Sequence, residues 1–184
     1  MPQSRLEDQV LTVPNVLTLL RLLAVPVVIL FLLAETDFTD LAAGVLFVLA
    51  ALTDLLDGVI ARRTTPTRLG ALFDPVADRL MLSSVAIVLA ARDLLPIWAV
   101  GILVGRDLLA LIGGLVFGSS IRVSPLGKAA TAVLMSAVAF VILGEGNLER
   151  TGEVMFYAGF ALSLAAALGY AGKVSRALRH GERR

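Results

Sequence analysis

Cysteine is absent from the 184 residues, so neither a disulfide nor a thiolate metal site is available to this fold. Charge is scarce as well. Lys, Arg, Asp and Glu make up 17% of the chain and nearly cancel, leaving a formal net charge of +1. That balance provides neither a basic surface for nucleic acid nor an acidic tail. A cleaved secretory leader is not expected either. The first apolar run is too long for a signal core, and no clear small-residue cleavage site follows it.

What the chain has in abundance is apolar surface. It is 58% hydrophobic with a mean hydropathy of +0.88, more than a soluble domain of this size needs. The expected class is an all-α, polytopic membrane protein: one domain over residues 1–184, built as a six-transmembrane-helix bundle. Spans are expected at roughly 14–34, 41–61, 70–91, 95–118, 125–144 and 152–172, each near the ~20 residues a bilayer requires. Pro14 suits the first turn of the first of these. Ahead of it, Leu6, Val10 and Leu11 would form the apolar stripe of an expected short amphipathic helix at the membrane surface, a frayed terminus being the alternative. Gly101 and Gly105 make a GxxxG pair on the fourth span, a pattern suited to close helix packing or a dimer contact.

The basic residues fix an orientation. Arg5, Arg62, Arg63, Arg68, Arg122, Lys128, Lys173, Arg176, Arg179, Arg183 and Arg184 fall on one side of the six spans. The other side has Arg92 and Arg150, and its first loop carries Glu35, Asp37 and Asp40. Both termini are therefore expected in the cytoplasm, with the chain in a bacterial inner membrane. The charges within or at the edges of spans are Arg21, Asp54, Asp57, Asp74, Asp78, Arg79, Arg106 and Asp107. On this topology they lie toward the cytoplasmic ends. Ionisable groups in membrane segments are costly and mark function.

Four of them are concentrated between Asp54 and Asp78. Asp54 and Asp57 are three residues apart at the end of one span, and Asp74 and Asp78 are four apart at the start of the next. Positions at those spacings share a helix face. The intervening turn, Arg63 to Arg68, is short enough to fold the two helices back on each other, so that the carboxylates converge. Carboxylates that close repel in a low-dielectric setting. Divalent cations relieve that repulsion, and an all-oxygen donor set suits Mg2+ or Mn2+. A diphosphate substrate would bridge two such ions, which would stabilise a leaving nucleotide. Asp78, last in the series, is the best placed to accept a proton from an attacking hydroxyl. Gly58 and Gly70 leave room for a ligand or a partner backbone. The competing reading of another class is a carboxylate-lined ion transporter. It would need polar residues in the outer halves of the spans, and the sequence has few.

Asp54, Asp57, Gly58, Ala61, Arg62, Gly70, Asp74 and Asp78 together resemble the signature of the CDP-alcohol phosphatidyltransferases, Asp-x2-Asp-Gly-x2-Ala-Arg-x8-Gly-x3-Asp-x3-Asp. Every fixed position is filled; the spacer from Arg62 to Gly70 holds seven residues where the pattern has eight. Pro14-Asn15-Val16-Leu17-Thr18-Leu19-Leu20-Arg21, Gly105-Arg106-Asp107 and Gly127-Lys128-Ala129-Ala130-Thr131 resemble the branch that makes phosphatidylglycerophosphate and cardiolipin. The resemblance implies a CDP-diacylglycerol-dependent transferase of the phosphatidyl group that releases CMP, and a homodimeric six-helix membrane fold. It implies metal ligation by Asp54, Asp57, Asp74 and Asp78, with Asp78 also the base, and a CDP pocket lined by Gly58, Ala61, Arg62 and Gly70. The acceptor is glycerol 3-phosphate or phosphatidylglycerol; inositol phosphate is the further alternative. Arg106 and Lys128, expected near the cytoplasmic ends of their spans, are the candidates to hold the acceptor's phosphate. Snorkelling or topology-setting charges are the plainer explanation for both.

Overall fold

In a computed structural model, residues 13–60, 70–117 and 125–181 are described, with side chains over 19–53, 79–112 and 125–169. The expected N-terminal amphipathic helix and the turn at 63–68 lie outside them. The described residues form six helices and no strand: α1 (Val13–Leu33), α2 (Asp37–Ile60), α3 (Gly70–Ala91), α4 (Ile97–Phe117), α5 (Pro125–Leu143) and α6 (Asn147–Gly181). Two compact units divide the chain, Met1–Val88 and Leu89–Arg184.

In the first unit, α1 turns back onto α2 through residues 34–36. The buried positions have helical spacing: Val28 and Leu32 on α1, then Ala43, Phe47 and Ala50 on α2. The connection is set locally. Glu35 adopts a positive φ of 52° and ends the helical path of α1. Thr36 then caps α2. Its Oγ1 accepts from the Thr39 N–H at 3.2 Å, and Thr39 Oγ1 accepts from the Thr36 N–H at 3.2 Å. This is a reciprocal capping box with threonine in the place of the usual Glu or Gln.

The second unit is built on α5 and α6, with α4 also against α6. α5 buries Gly127, Ala130, Leu134, Ala137, Val138, Val141 and Ile142. The opposing stripe of α6 includes Phe156, Phe160, Ser163 and Ala166. Two glycines set how near the helices come. A Cβ at Gly152 would lie 2.8 Å from the backbone nitrogen of Val141, and one at Gly159 would lie 2.8 Å from Leu134 Cγ. Seven residues apart, they place both contacts on one face of α6. Gly101 and Gly105 are different: a Cβ at either would meet nothing within 4 Å. The expected GxxxG contact is therefore not used for packing among the described residues.

α3 ends in a tight reversal. Asp93, with φ of 59°, follows the helix in the left-handed region. The Leu94 N–H donates to the Leu89 carbonyl at 2.9 Å, and the Asp93 N–H to the Ala90 carbonyl at 3.2 Å. Paired bonds of this kind satisfy carbonyls left over at a helix C-terminus, usually with glycine where Asp93 stands.

The exterior is as oily as the interior. Leu30, Leu109 and Leu168 are 66%, 72% and 74% exposed, and the other described helices also present large apolar side chains outward. Such a surface is suited to lipid rather than water. Among the described residues, two stretches are long and apolar enough to cross a membrane, Pro125–Leu143 and Asn147–Gly169. The described residues thus form six helices, two of which have the length and apolar composition of a membrane span.

Candidate active site

Six of the eight signature positions fall in two described helices, on either side of residues 61–69. Asp54, Asp57 and Gly58 belong to the last two turns of α2. Gly70 opens α3, and Asp74 and Asp78 occupy its first turns. Each carboxylate pair is therefore in continuous helix at a spacing that shares a face. The side chains of Asp54, Asp57, Gly58, Gly70, Asp74 and Asp78, together with Ala61 and Arg62 entirely, lie outside the described residues. The donor set nonetheless suits a hard divalent ion: four carboxylates, two per helix, in a chain without cysteine.

The two acceptor-site candidates have different settings. Lys128 is the fourth residue of α5 and is exposed, a placement near a helix end in keeping with expectation. Arg106 is tenth of the 21 residues of α4. It is at the middle of its helix rather than near an end, because α4 continues for 11 residues past it. Its side chain is 21% exposed and makes two contacts through the same nitrogen. Nη1 donates to Ser163 Oγ at 2.7 Å and stands 3.4 Å from Asp107 Oδ1. Arg21, the cation of the α1 opening, is buried at 4% exposure.

Ser163 was not singled out by sequence reasoning, although a signal existed: it is a lone hydroxyl in the run Phe160-Ala161-Leu162-Ser163-Leu164-Ala165-Ala166. Elsewhere, a cavity of about 430 Å³ lies where the α3–α4 connection meets the first turns of α6, with Asp93, Trp98, Glu153 and Tyr157 among its walls. No residue assigned a role from the sequence lines it.

The comparisons with known proteins bear on the same motif. The family model for CDP-alcohol phosphatidyltransferase matches residues 11–170. The chain belongs to that family. A cardiolipin synthase (CMP-forming) of Streptomyces coelicolor is 37% identical over 173 residues, covering 89% of this chain and 75% of the relative. A CDP-diacylglycerol--glycerol-3-phosphate 3-phosphatidyltransferase of Rickettsia typhi is 34% identical over 171 residues, covering 85% and 93%. An Arabidopsis thaliana protein, CDP-diacylglycerol--glycerol-3-phosphate 3-phosphatidyltransferase 2, is 31% identical, covering 95% and 84%.

Proposed function

We propose that this chain is a metal-dependent membrane enzyme of phospholipid biosynthesis that transfers the phosphatidyl group of CDP-diacylglycerol to a glycerol-type acceptor. The observation that carries the reading is the complete signature, with its two carboxylate pairs on the adjoining ends of α2 and α3, inside a family match over residues 11–170. Relatives named as a cardiolipin synthase (CMP-forming) and as a CDP-diacylglycerol--glycerol-3-phosphate 3-phosphatidyltransferase match most of the chain.

In this reading the acceptor hydroxyl oxygen bonds to the phosphatidyl phosphorus. The phosphoanhydride bond to CMP breaks, and CMP leaves with the electron pair. Asp78 accepts the hydroxyl proton. Asp54, Asp57 and Asp74, with Asp78, hold two Mg2+ or Mn2+ ions, which when bound offset the charge of the diphosphate and the leaving nucleotide. Gly58, Ala61, Arg62 and Gly70 line the CDP pocket. Arg106 and Lys128 take the acceptor's phosphate. Six spans, cytoplasmic termini and a bacterial inner-membrane location complete the reading, supported by the asymmetry of basic residues. The homodimer rests on the family resemblance, and the GxxxG pair Gly101 and Gly105 has the spacing that suits such a contact.

The test is CMP release by the purified protein supplied with CDP-diacylglycerol, Mg2+ and either glycerol 3-phosphate or phosphatidylglycerol. Release is expected with one of them, lost on chelation with EDTA and restored by Mg2+ or Mn2+. No release with either, or release indifferent to chelation, would overturn the reading.

A further inference from the structure

Arg106 sits in an unusual place for a cation. Nine residues of α4 precede it and 11 follow. At 1.5 Å per residue it is therefore roughly 14 to 16 Å from either end of the helix. An arginine near the end of a membrane helix extends toward the headgroups on its own side. One at the middle has no nearer side, so its direction must be set by a partner.

Ser163 is such a partner. It is completely buried, one of two buried polar or charged residues among the described side chains, and it comes from α6, 57 residues further along the chain. Its hydroxyl accepts from Arg106 Nη1 at 2.7 Å, within the range of a strong charge-assisted bond. Asp107 is 3.4 Å from the same nitrogen and 15% exposed. Being next to Arg106 in sequence, it travels with α4 and cannot fix Arg106 against any other element. The serine can, because it is anchored to a different helix. A guanidinium is a rigid planar fork, so fixing one nitrogen restricts the orientation of the whole group.

We propose that Ser163 is a positioning residue for the acceptor substrate: it holds the Arg106 guanidinium in the orientation that receives the acceptor's phosphate. This rests on the reading of Arg106 given under the proposed function. Asp107 offsets the charge that α4 carries into the apolar layer, and Ser163 sets the direction in which that charge is presented. The role is one of binding rather than chemistry, so it shows in acceptor affinity and not in turnover.

The experiment compares Ser163→Ala, Ser163→Thr, Arg106→Ala and the Ser163→Ala/Arg106→Ala double variant. Each is assayed by CMP release with whichever of glycerol 3-phosphate and phosphatidylglycerol the wild-type chain consumes. Ser163→Ala is expected to raise the acceptor KM by about tenfold, the effect of losing a hydrogen bond to a charged group. Its kcat and its KM for CDP-diacylglycerol should stay within about twofold of wild type. Ser163→Thr keeps the hydroxyl and is expected to recover most of the acceptor affinity. In the Arg106→Ala background, Ser163→Ala should have no further effect. If Arg106→Ala raises the acceptor KM but Ser163→Ala does not, the serine's role is refuted and the reading of Arg106 stands. If neither variant changes the acceptor KM, the reading of Arg106 fails first and the inference with it. A parallel fall in kcat, donor affinity and melting temperature in Ser163→Ala, unrelieved by Ser163→Thr, would mark a packing role and overturn the proposal.

Discussion

Asp57 and Asp78 carry the same functional group on two different helices, and the proposed mechanism gives them separate work. Asp57 stands near the end of α2 with Asp54, and Asp78 is one helical turn beyond Asp74 on α3. Asp78→Asn keeps the shape and removes the basicity. It is expected to lower kcat by about 100-fold or more while donor and metal binding survive. Asp57→Asn is expected to weaken metal binding itself, read as a higher Mg2+ concentration for half-maximal activity. Equal loss of donor binding in both variants would show that the roles are not divided. These carboxylates were legible because ionisable residues stand out against an apolar background and because their spacing is a short-range property of a helix. Ser163 was not legible. A single hydroxyl in a membrane helix is ordinary, and its importance depends on which residue of another helix lies against it. Sequence periodicity carries no information about that pairing.

The helices themselves illustrate the same divide. The expected spans begin and end close to α1 through α5, since apolar runs bounded by Pro, Gly and charged residues leave few other places to stop. α6 departs most, running from Asn147 to Gly181 rather than over roughly 152–172. Glu149 and Arg150 at one end and Lys173, Arg176 and Arg179 at the other exclude those turns from a hydropathy window, yet they remain good helix formers. The glycine pairs were harder to rank. Gly101 and Gly105 have the familiar spacing and open surroundings, whereas Gly152 and Gly159 have no conspicuous motif and sit against α5. Gly152→Ala is therefore expected to destabilise the α5–α6 pair by ~1–3 kcal/mol, because backbone as well as side chain must shift. Gly105→Ala should be neutral or gain up to ~1 kcal/mol of helix propensity. Thermal unfolding of the purified variants in detergent checks both. A melting temperature lowered more by Gly105→Ala than by Gly152→Ala would contradict the packing described.

For the whole molecule, the missing cysteine is an experimental advantage: single thiols can be introduced without a background. Glu145, exposed in the α5–α6 connection, and His180, near the end of α6, lie at opposite ends of the last helix. With Glu145→Cys, a membrane-impermeant maleimide is expected to label intact cells. With His180→Cys it should label only after permeabilisation. The reverse pattern would invert the orientation inferred from the basic residues. The length of α6 has a practical consequence as well. Its 35 residues make a rod of about 52 Å, against a hydrocarbon layer of ~30 Å. Some 20 Å of continuous helix is thus left beyond the oil if the rod stands upright. With the span at roughly 152–172, the nine residues that follow it make a stalk of about 13 Å, and an affinity handle joined after Gly181 would stand off the hydrocarbon by that length.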